Sequence, residues 1–196
     1  MKNIAPLHGK PLISYSIESA LKSIVDRVIV STDSEKIAKV AMDYKAEVIM
    51  RPAELAKDDT PTLPVIQHAL KAIQNQDEPD AILTLQPTSP FREAKHISDA
   101  LLTFFDGNAD SLVSVVKVPH NFNPFSVMSL AEDGYLVPYQ DYDENKNMRQ
   151  LKPSFYARNG AAIYICTYDC LMKKNSLFGD KILPYEMDRS ASVDID

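Results

Sequence analysis

A chain of 196 residues with 45% hydrophobic content is long enough to bury one sizeable core, and no low-complexity linker divides it. A net charge of -6 and a pI near 5.2, without a basic cluster, argue against a general nucleic-acid surface. No apolar run approaches the ~20 residues of a membrane span and no signal-peptide pattern opens the sequence, so one cytoplasmic domain acting on small molecules is expected.

In chain order, Pro11 to Ser23 place Leu12, Ile13, Tyr15, Ile17, Ala20 and Leu21 for a helix with one buried face, Pro11 fitting its first turn. Val25 to Val30 reads as a strand. In the turn Ser31-Thr32-Asp33-Ser34-Glu35, Thr32 and Glu35 have capping-box spacing, and Ile37, Val40, Ala41 and Tyr44 line the helix it starts. Capping explains this turn about as well as a ligand role does. Glu47 to Met50 is a second strand, ending at Arg51-Pro52. Thr60 as N-cap and Pro61 at the first helical position then predict a helix to about Asn75, on Val65, Ile66, Ala69, Leu70 and Ile73.

Ala81 to Leu85 is a short apolar run bounded by Pro79-Asp80 and Pro87, which suits a strand buried on both faces of a parallel sheet. Gln86 is its first polar residue. The two prolines of Pro87-Thr88-Ser89-Pro90 predict a rigid loop holding Gln86, two hydroxyls and the Arg92 cation beyond the carboxyl end of a central strand, where open α/β sheets bind ligands. A helix from about Ala94, on Ile97, Leu101, Phe104 and Phe105, and a β-branched strand from Ser111 to Val118 follow. Strands alternating with helices indicate βαβ units and an α/β, doubly wound, mostly parallel sheet.

From Pro119 to Pro153 the pattern changes to prolines, Asn and Asp around one convincing strand, Tyr135 to Tyr139, after the Asp133-Gly134 turn. An excursion of this length in a compact domain usually serves binding or association. Its aromatics, Phe122, Phe125, Tyr135, Tyr139 and Tyr142, are of the kind enriched at interfaces. Asn159 to Cys166 returns to the sheet, Tyr168 to Lys174 is helical, and a last strand ends near Asp194. Cys166 and Cys170 lack a second ligand pair at metal-site spacing and read as structural. His8, His68, His96 and His120 are scattered, so no His-based triad is expected.

Leu85 to Arg92, L-Q-P-T-S-P-F-R, resembles a motif of the acylneuraminate cytidylyltransferases, enzymes that make CMP-sialic acid and its relatives. Further matches are S-T-D at Ser31 to Asp33, R-P-A-E-L-A-x-D at Arg51 to Asp58, N-G-A at Asn159 to Ala161 and D-I-D at Asp194 to Asp196, in order over almost the whole chain. The resemblance implies a nucleotide-diphospho-sugar transferase type of Rossmann-like fold in a single domain, residues 1–196, with 119–153 as a dimerisation and sugar-pocket excursion. It implies a Mg2+-dependent transfer from CTP to a sialic or related nonulosonic acid, for cell-surface polysaccharide synthesis, by a cytoplasmic homodimer.

Phosphoryl transfer of this kind depends on metal ions and cations placed around phosphate oxygens. In a strand, Asp194 and Asp196 would present both carboxylates on one face, a geometry for Mg2+; on the residues alone a solvated chain end is the preferred reading. Resemblance assigns both to the metal and, with Lys2, to catalysis. Arg51 suits a base edge, a phosphate or a solvated surface; resemblance puts it on the cytosine end of CTP, with Thr60 and Thr62 nearby and Asn3 on the nucleotide. Gln86 is either a strand-end amide satisfying its loop or, by resemblance, faces the sugar acid. Thr88 and Ser89 are weaker sugar contacts, since both suit the turn. Asn159 is a turn residue or a sugar contact, and Arg149 and Arg158 are candidates for the substrate carboxylate.

Members of the family open with a strand and a basic, glycine-containing phosphate loop, of which Lys2 and Asn3 match only the last two residues. The chain is therefore expected to be truncated at both ends and nearly inactive in this form, with a gap between the Val25 to Val30 and Ala81 to Leu85 strands unless another chain fills it. Two further readings stand beside this one. One is a cytidylyltransferase for another acid sugar such as Kdo; the other is a non-catalytic nucleotide-binding or scaffold domain.

Overall fold

The structure, a computed structural model, describes residues 1–73, 78–140 and 153–195. A turn at Lys2–Ile4 leads into a small hairpin, β1 (Pro6–Leu7) against β2 (Lys10–Pro11). Helix α1 (Leu12–Leu21) follows Pro11 and buries Leu12, Ile13, Ile17 and Ala20 at the spacing its sequence dictates. Strand β3 is Ile29–Thr32, later than Val25 to Val30, because Val25 and Val28 pack into the core from the connecting turn. Helix α2 (Glu35–Asp43) is capped by Ser34, whose Oγ accepts the Ile37 amide, while Thr32 Oγ1 accepts the Ser34 amide. The expected Thr32–Glu35 box therefore gives way to a Ser34 cap, since Thr32 is still the buried end of the strand.

Strand β4 (Glu47–Met50) falls where expected. Helix α3 (Thr62–Ala72) begins after Pro61 with no side-chain cap, so Thr60 lies one residue too early to cap it; Asn75 lies outside the described residues. Strand β5 is Ile82–Thr84, and α4 (Ala94–Asp106) is opened by Glu93 and His96, which satisfy each other's backbone amides. Strand β6 (Ser111–Lys117) is the longest of the described strands. A hairpin of β7 (Met128–Leu130) and β8 (Leu136–Pro138), exposed throughout, forms the described part of the excursion; Tyr142 lies outside the described residues. Strand β9 (Tyr156–Arg158), not expected from the sequence, precedes β10 (Tyr164–Cys166). The expected strand from Asn159 breaks because Gly160 (φ 71°) and Ala161 (φ 55°) both adopt left-handed backbone. After a helical turn at Asp169–Lys173, β11 (Ile182–Glu186) ends well before Asp194, and a 3-10 turn at Ser190–Ser192 intervenes. Asp194 is thus in no strand, the same-face argument for Asp194 and Asp196 does not hold, and Asp196 lies outside the described residues.

The larger sheet has the order β11-β6-β10-β5, with β9 also on β6. β11 pairs with β6 in parallel and β10 runs antiparallel to both β6 and β5, so β5, β6 and β11 share one direction. β3 and β4 form a separate parallel pair. Among the described residues no ladder joins this pair to the larger sheet.

One hydrophobic cluster joins α4 to β6 and β10 through Ile97, Leu101, Phe104, Leu112, Ile163 and Ile165. A second joins α1, α2 and the β3–β4 pair through Ile13, Ile17, Ala41 and Val30. Cys166 and Cys170 belong to a third, under α3, where both are free and buried. Burial pushes the Cys166 thiol up to about 12, so it is an inert core group, as the sequence suggested.

Candidate active site

The loop after β5 owes its shape to Arg92. Instead of projecting as a cation beyond the sheet, Arg92 is 1% exposed and turns inward. Its Nη1 donates to the carbonyls of Ala162 (2.5 Å) and Gln86 (3.2 Å), and Nη2 donates to Ser16 Oγ at 2.6 Å. It thereby ties the end of β5, the turn before β10 and helix α1 into one unit. Burial, with no carboxylate partner among the described residues, pushes its guanidinium down to about 10. Thr88 and Ser89, expected near the sugar, are buried, and the hydroxyls of both lack a protein partner among the described residues. Their backbones do the local work: the Thr88 carbonyl accepts the Ile195 amide, and the Ser89 carbonyl accepts the Arg92 amide.

Around this loop lie two adjoining hollows. The first, about 610 Å³, runs between β3 and β5. Its polar lining collects Asp33, Gln86 and Thr88 with all five residues expected to bind nucleotide, Lys2, Asn3, Arg51, Thr60 and Thr62. Arg51 contacts Asp33 at 3.4 Å, and its buried Nε has no partner among the described residues. Asp33 was legible as the third residue of S-T-D, although the turn suggested capping.

The second hollow, about 530 Å³, is lined by Thr62, Thr84, Gln86, Arg158, Gly160, Tyr164, Leu177 and Asp194. Thr62 and Gln86 line both hollows, so ligands in the two would meet there. Arg158 is exposed and stacks on the Phe178 ring, 5.5 Å from its centroid. Tyr164 and Leu177, not singled out in the sequence, form the apolar side; nothing in their local pattern distinguishes them from core residues.

Asp194 reaches this place because Gly160 has no side chain. A Cβ on Gly160 would lie 2.6 Å from Asp194 Oδ2, and the backbone there (φ 71°) also favours glycine. Lys2 Nζ donates to the Ile195 carbonyl at 3.1 Å, bringing the two ends of the described chain together over the Thr88 loop. Magnesium is held by one or two carboxylates, with phosphate oxygens and water completing the shell. The exposed Asp194 carboxylate, with no cation or hydrogen-bond donor engaging it among the described residues, fits that role. Asn159 is buried and differently employed: Oδ1 accepts from Ser114 (2.6 Å) and Nδ2 donates to Ser192 (2.9 Å), fixing the segment that carries Gly160 and Asp194. Arg149 and Asp196 lie outside the described residues.

A family model described as "Cytidylyltransferase" matches residues 1–174. An N-acylneuraminate cytidylyltransferase of Escherichia coli is 34% identical over 196 residues, covering all of this chain and 45% of that protein. A CMP-N,N'-diacetyllegionaminic acid synthase of Legionella pneumophila is 35% identical over 202 residues, covering all of this chain and 84% of that one. The chain spans about half the length of several curated relatives it matches. Among solved structures, a CMP:2-keto-3-deoxy-manno-octonic acid synthetase complexed with CTP superposes with a TM-score of 0.69 at 17% identity, covering 95% of this chain and 83% of that one. A 4-diphosphocytidyl-2C-methyl-D-erythritol synthase from Anaerococcus prevotii superposes with a TM-score of 0.64 at 13% identity, covering 98% and 86%. These likenesses establish the nucleotide-diphospho-sugar transferase type of α/β fold, and by family match and identity the chain belongs to the cytidylyltransferases.

Proposed function

We propose that this chain carries the nucleotidyl-transfer site for activating a sialic acid or related nonulosonic acid with CTP. The observation that carries the reading is the meeting of two hollows at Gln86 and Thr62, one with a cationic, nucleotide-sized mouth and one edged by Arg158. The sugar's anomeric hydroxyl oxygen would form a bond to the α-phosphorus while the bond to the leaving pyrophosphate breaks; the hydroxyl proton passes to solvent. Arg51 and Asn3 bind the nucleotide end, with Thr60 and Thr62 beside it, and Lys2 offsets phosphate charge. Gln86 orients the sugar, Arg158 holds its carboxylate, and Asn159 positions the loop that presents Asp194.

Asp194, with Asp196, would hold Mg2+, which when bound withdraws charge from phosphate oxygens. The exposed β7–β8 hairpin supports a homodimer, because a patch with Met128, Leu130, Leu136 and Tyr139 all uncovered favours a partner surface. We place the protein in the cytoplasm, where CTP is available.

Calorimetry with CTP, with and without Mg2+, tests the site. Binding that strengthens with Mg2+ and loses this dependence in Asp194→Ala is expected, whereas equal binding in all four conditions would leave a non-catalytic domain. Turnover compared across Neu5Ac, legionaminic acid and Kdo then separates the sialic branch from other acid sugars; preference for Kdo would overturn the substrate assignment.

A further inference from the structure

Among the described residues that line the first hollow, Asp33 is the one carboxylate, set with the cations Lys2, Arg27, Arg51 and Lys57. A negative charge beside a triphosphate opposes binding, so a carboxylate in this hollow calls for a use at the uncharged end of a nucleotide. Local structure does not supply that use. Ser34, not Asp33, caps α2, and an ion pair as open to solvent as Asp33 with Arg51 adds little stability.

The backbone explains why these two side chains stand together. β3 and β4 run parallel with Thr32 opposite Met50, so the next residues, Asp33 and Arg51, leave the two strands side by side. The Arg51 amide donates to the Thr32 carbonyl at 2.9 Å, and Pro52 follows with its φ held at -66°. Arg51 Nη2 then donates to Asp33 Oδ1 at 3.4 Å. Among the described residues no donor engages Asp33 Oδ2, so the pair presents an acceptor beside a guanidinium fork.

A pyrimidine can complement that arrangement in one way. Along its pairing edge cytosine has acceptors at O2 and N3 and a donor in its 4-amino group, a group that carboxylates read in other settings. Uracil reverses the last two positions, with a proton on N3 and an acceptor at O4. We propose, on the reading of the first hollow as the nucleotide site, that Asp33 selects the base: its carboxylate accepts from the 4-amino group of cytosine while Arg51 donates to N3 and O2. Uracil in the same place sets O4 against the carboxylate and the N3 proton against the guanidinium, so the pair rejects UTP as well as accepting CTP. The specificity lies in Asp33, because Arg51 alone donates equally well to the O2 that both bases share.

The test is calorimetry of the 196-residue chain in Mg2+ with CTP, UTP and the triphosphate of the 4-deamino analogue, pyrimidin-2-one riboside. The parent should bind CTP at least ~10-fold more tightly than either of the others. In Asp33→Ala the difference between CTP and the 4-deamino analogue should vanish. Asp33→Asn, whose amide both accepts and donates, should bring UTP level with CTP. Both substitutions fall at an exposed position outside the helix cap, so unchanged melting is expected and affinity is read on folded protein. Equal weakening of all three nucleotides in Asp33→Ala, with their ratios kept, would show that Asp33 only holds Arg51 and would overturn the proposal. So would a parent that binds CTP no better than UTP, with the nucleotide site itself left standing. Binding of none of the three would instead remove the nucleotide reading, and base selection with it.

Discussion

Replacing Arg92 by Met keeps most of the buried stem and removes the guanidinium, isolating what its hydrogen bonds contribute. The Ala162 carbonyl loses its 2.5 Å donor, while the Gln86 carbonyl still has Ser16 Oγ at 3.4 Å and the Ser89 amide at 3.5 Å. One acceptor is therefore orphaned rather than three groups, and a buried unsatisfied group costs about 1–3 kcal/mol. Part of that is offset because the variant no longer desolvates a cation that has no carboxylate partner. The expected net loss is about 1–2 kcal/mol in urea unfolding, or roughly 2–8 °C in Tm for a chain of this length. Arg92→Ala should lose more, about 3 kcal/mol, because the stem's packing goes as well. A variant Arg92→Met as stable as the parent would refute the reasoning, showing that burying the cation costs as much as its bonds return.

Other consequences can be checked beside it. Gly160→Ala should lose about 1 kcal/mol of stability from its left-handed backbone and, by displacing Asp194, weaken Mg2+-dependent CTP binding about tenfold; unchanged calorimetry would separate Gly160 from the metal site. Asp110 accepts the amides of Lys181 and Asp180 and faces Lys174, which hold its carboxyl below the usual 3.8. Its stabilising effect is full above that value and is lost as pH falls below it, so Asp110→Asn should flatten the acid limb of a Tm-against-pH curve; an unchanged limb would count against this. Leu130→Lys with Leu136→Lys, both at exposed positions of the β7–β8 hairpin, should halve the light-scattering mass while leaving Tm unaltered. A parent protein already monomeric at micromolar concentration would dispose of the dimer.

The local sequence determined the elements, because apolar spacing and turn chemistry act over a few residues. The α1 face, the β4 limits and the α4 start at Ala94 all follow from that. The proposed site residues were legible as polar groups closing apolar runs: Arg51 after β4, proposed for the nucleotide, and Gln86 after β5, proposed for the sugar, line one hollow. What only the tertiary structure decided was the use made of each polar side chain. Arg92 and Gln86 sit in the same octapeptide, yet one is drawn inside by the carbonyl of Ala162, some seventy residues away, and the other remains at the junction of the two hollows. Asn159 is held by Ser114 and Ser192, and Asp194 depends on the missing side chain of Gly160. Such contacts join residues far apart in the chain, and a hydrogen-bond partner that arrives from another element leaves no trace in the spacing around the residue it selects.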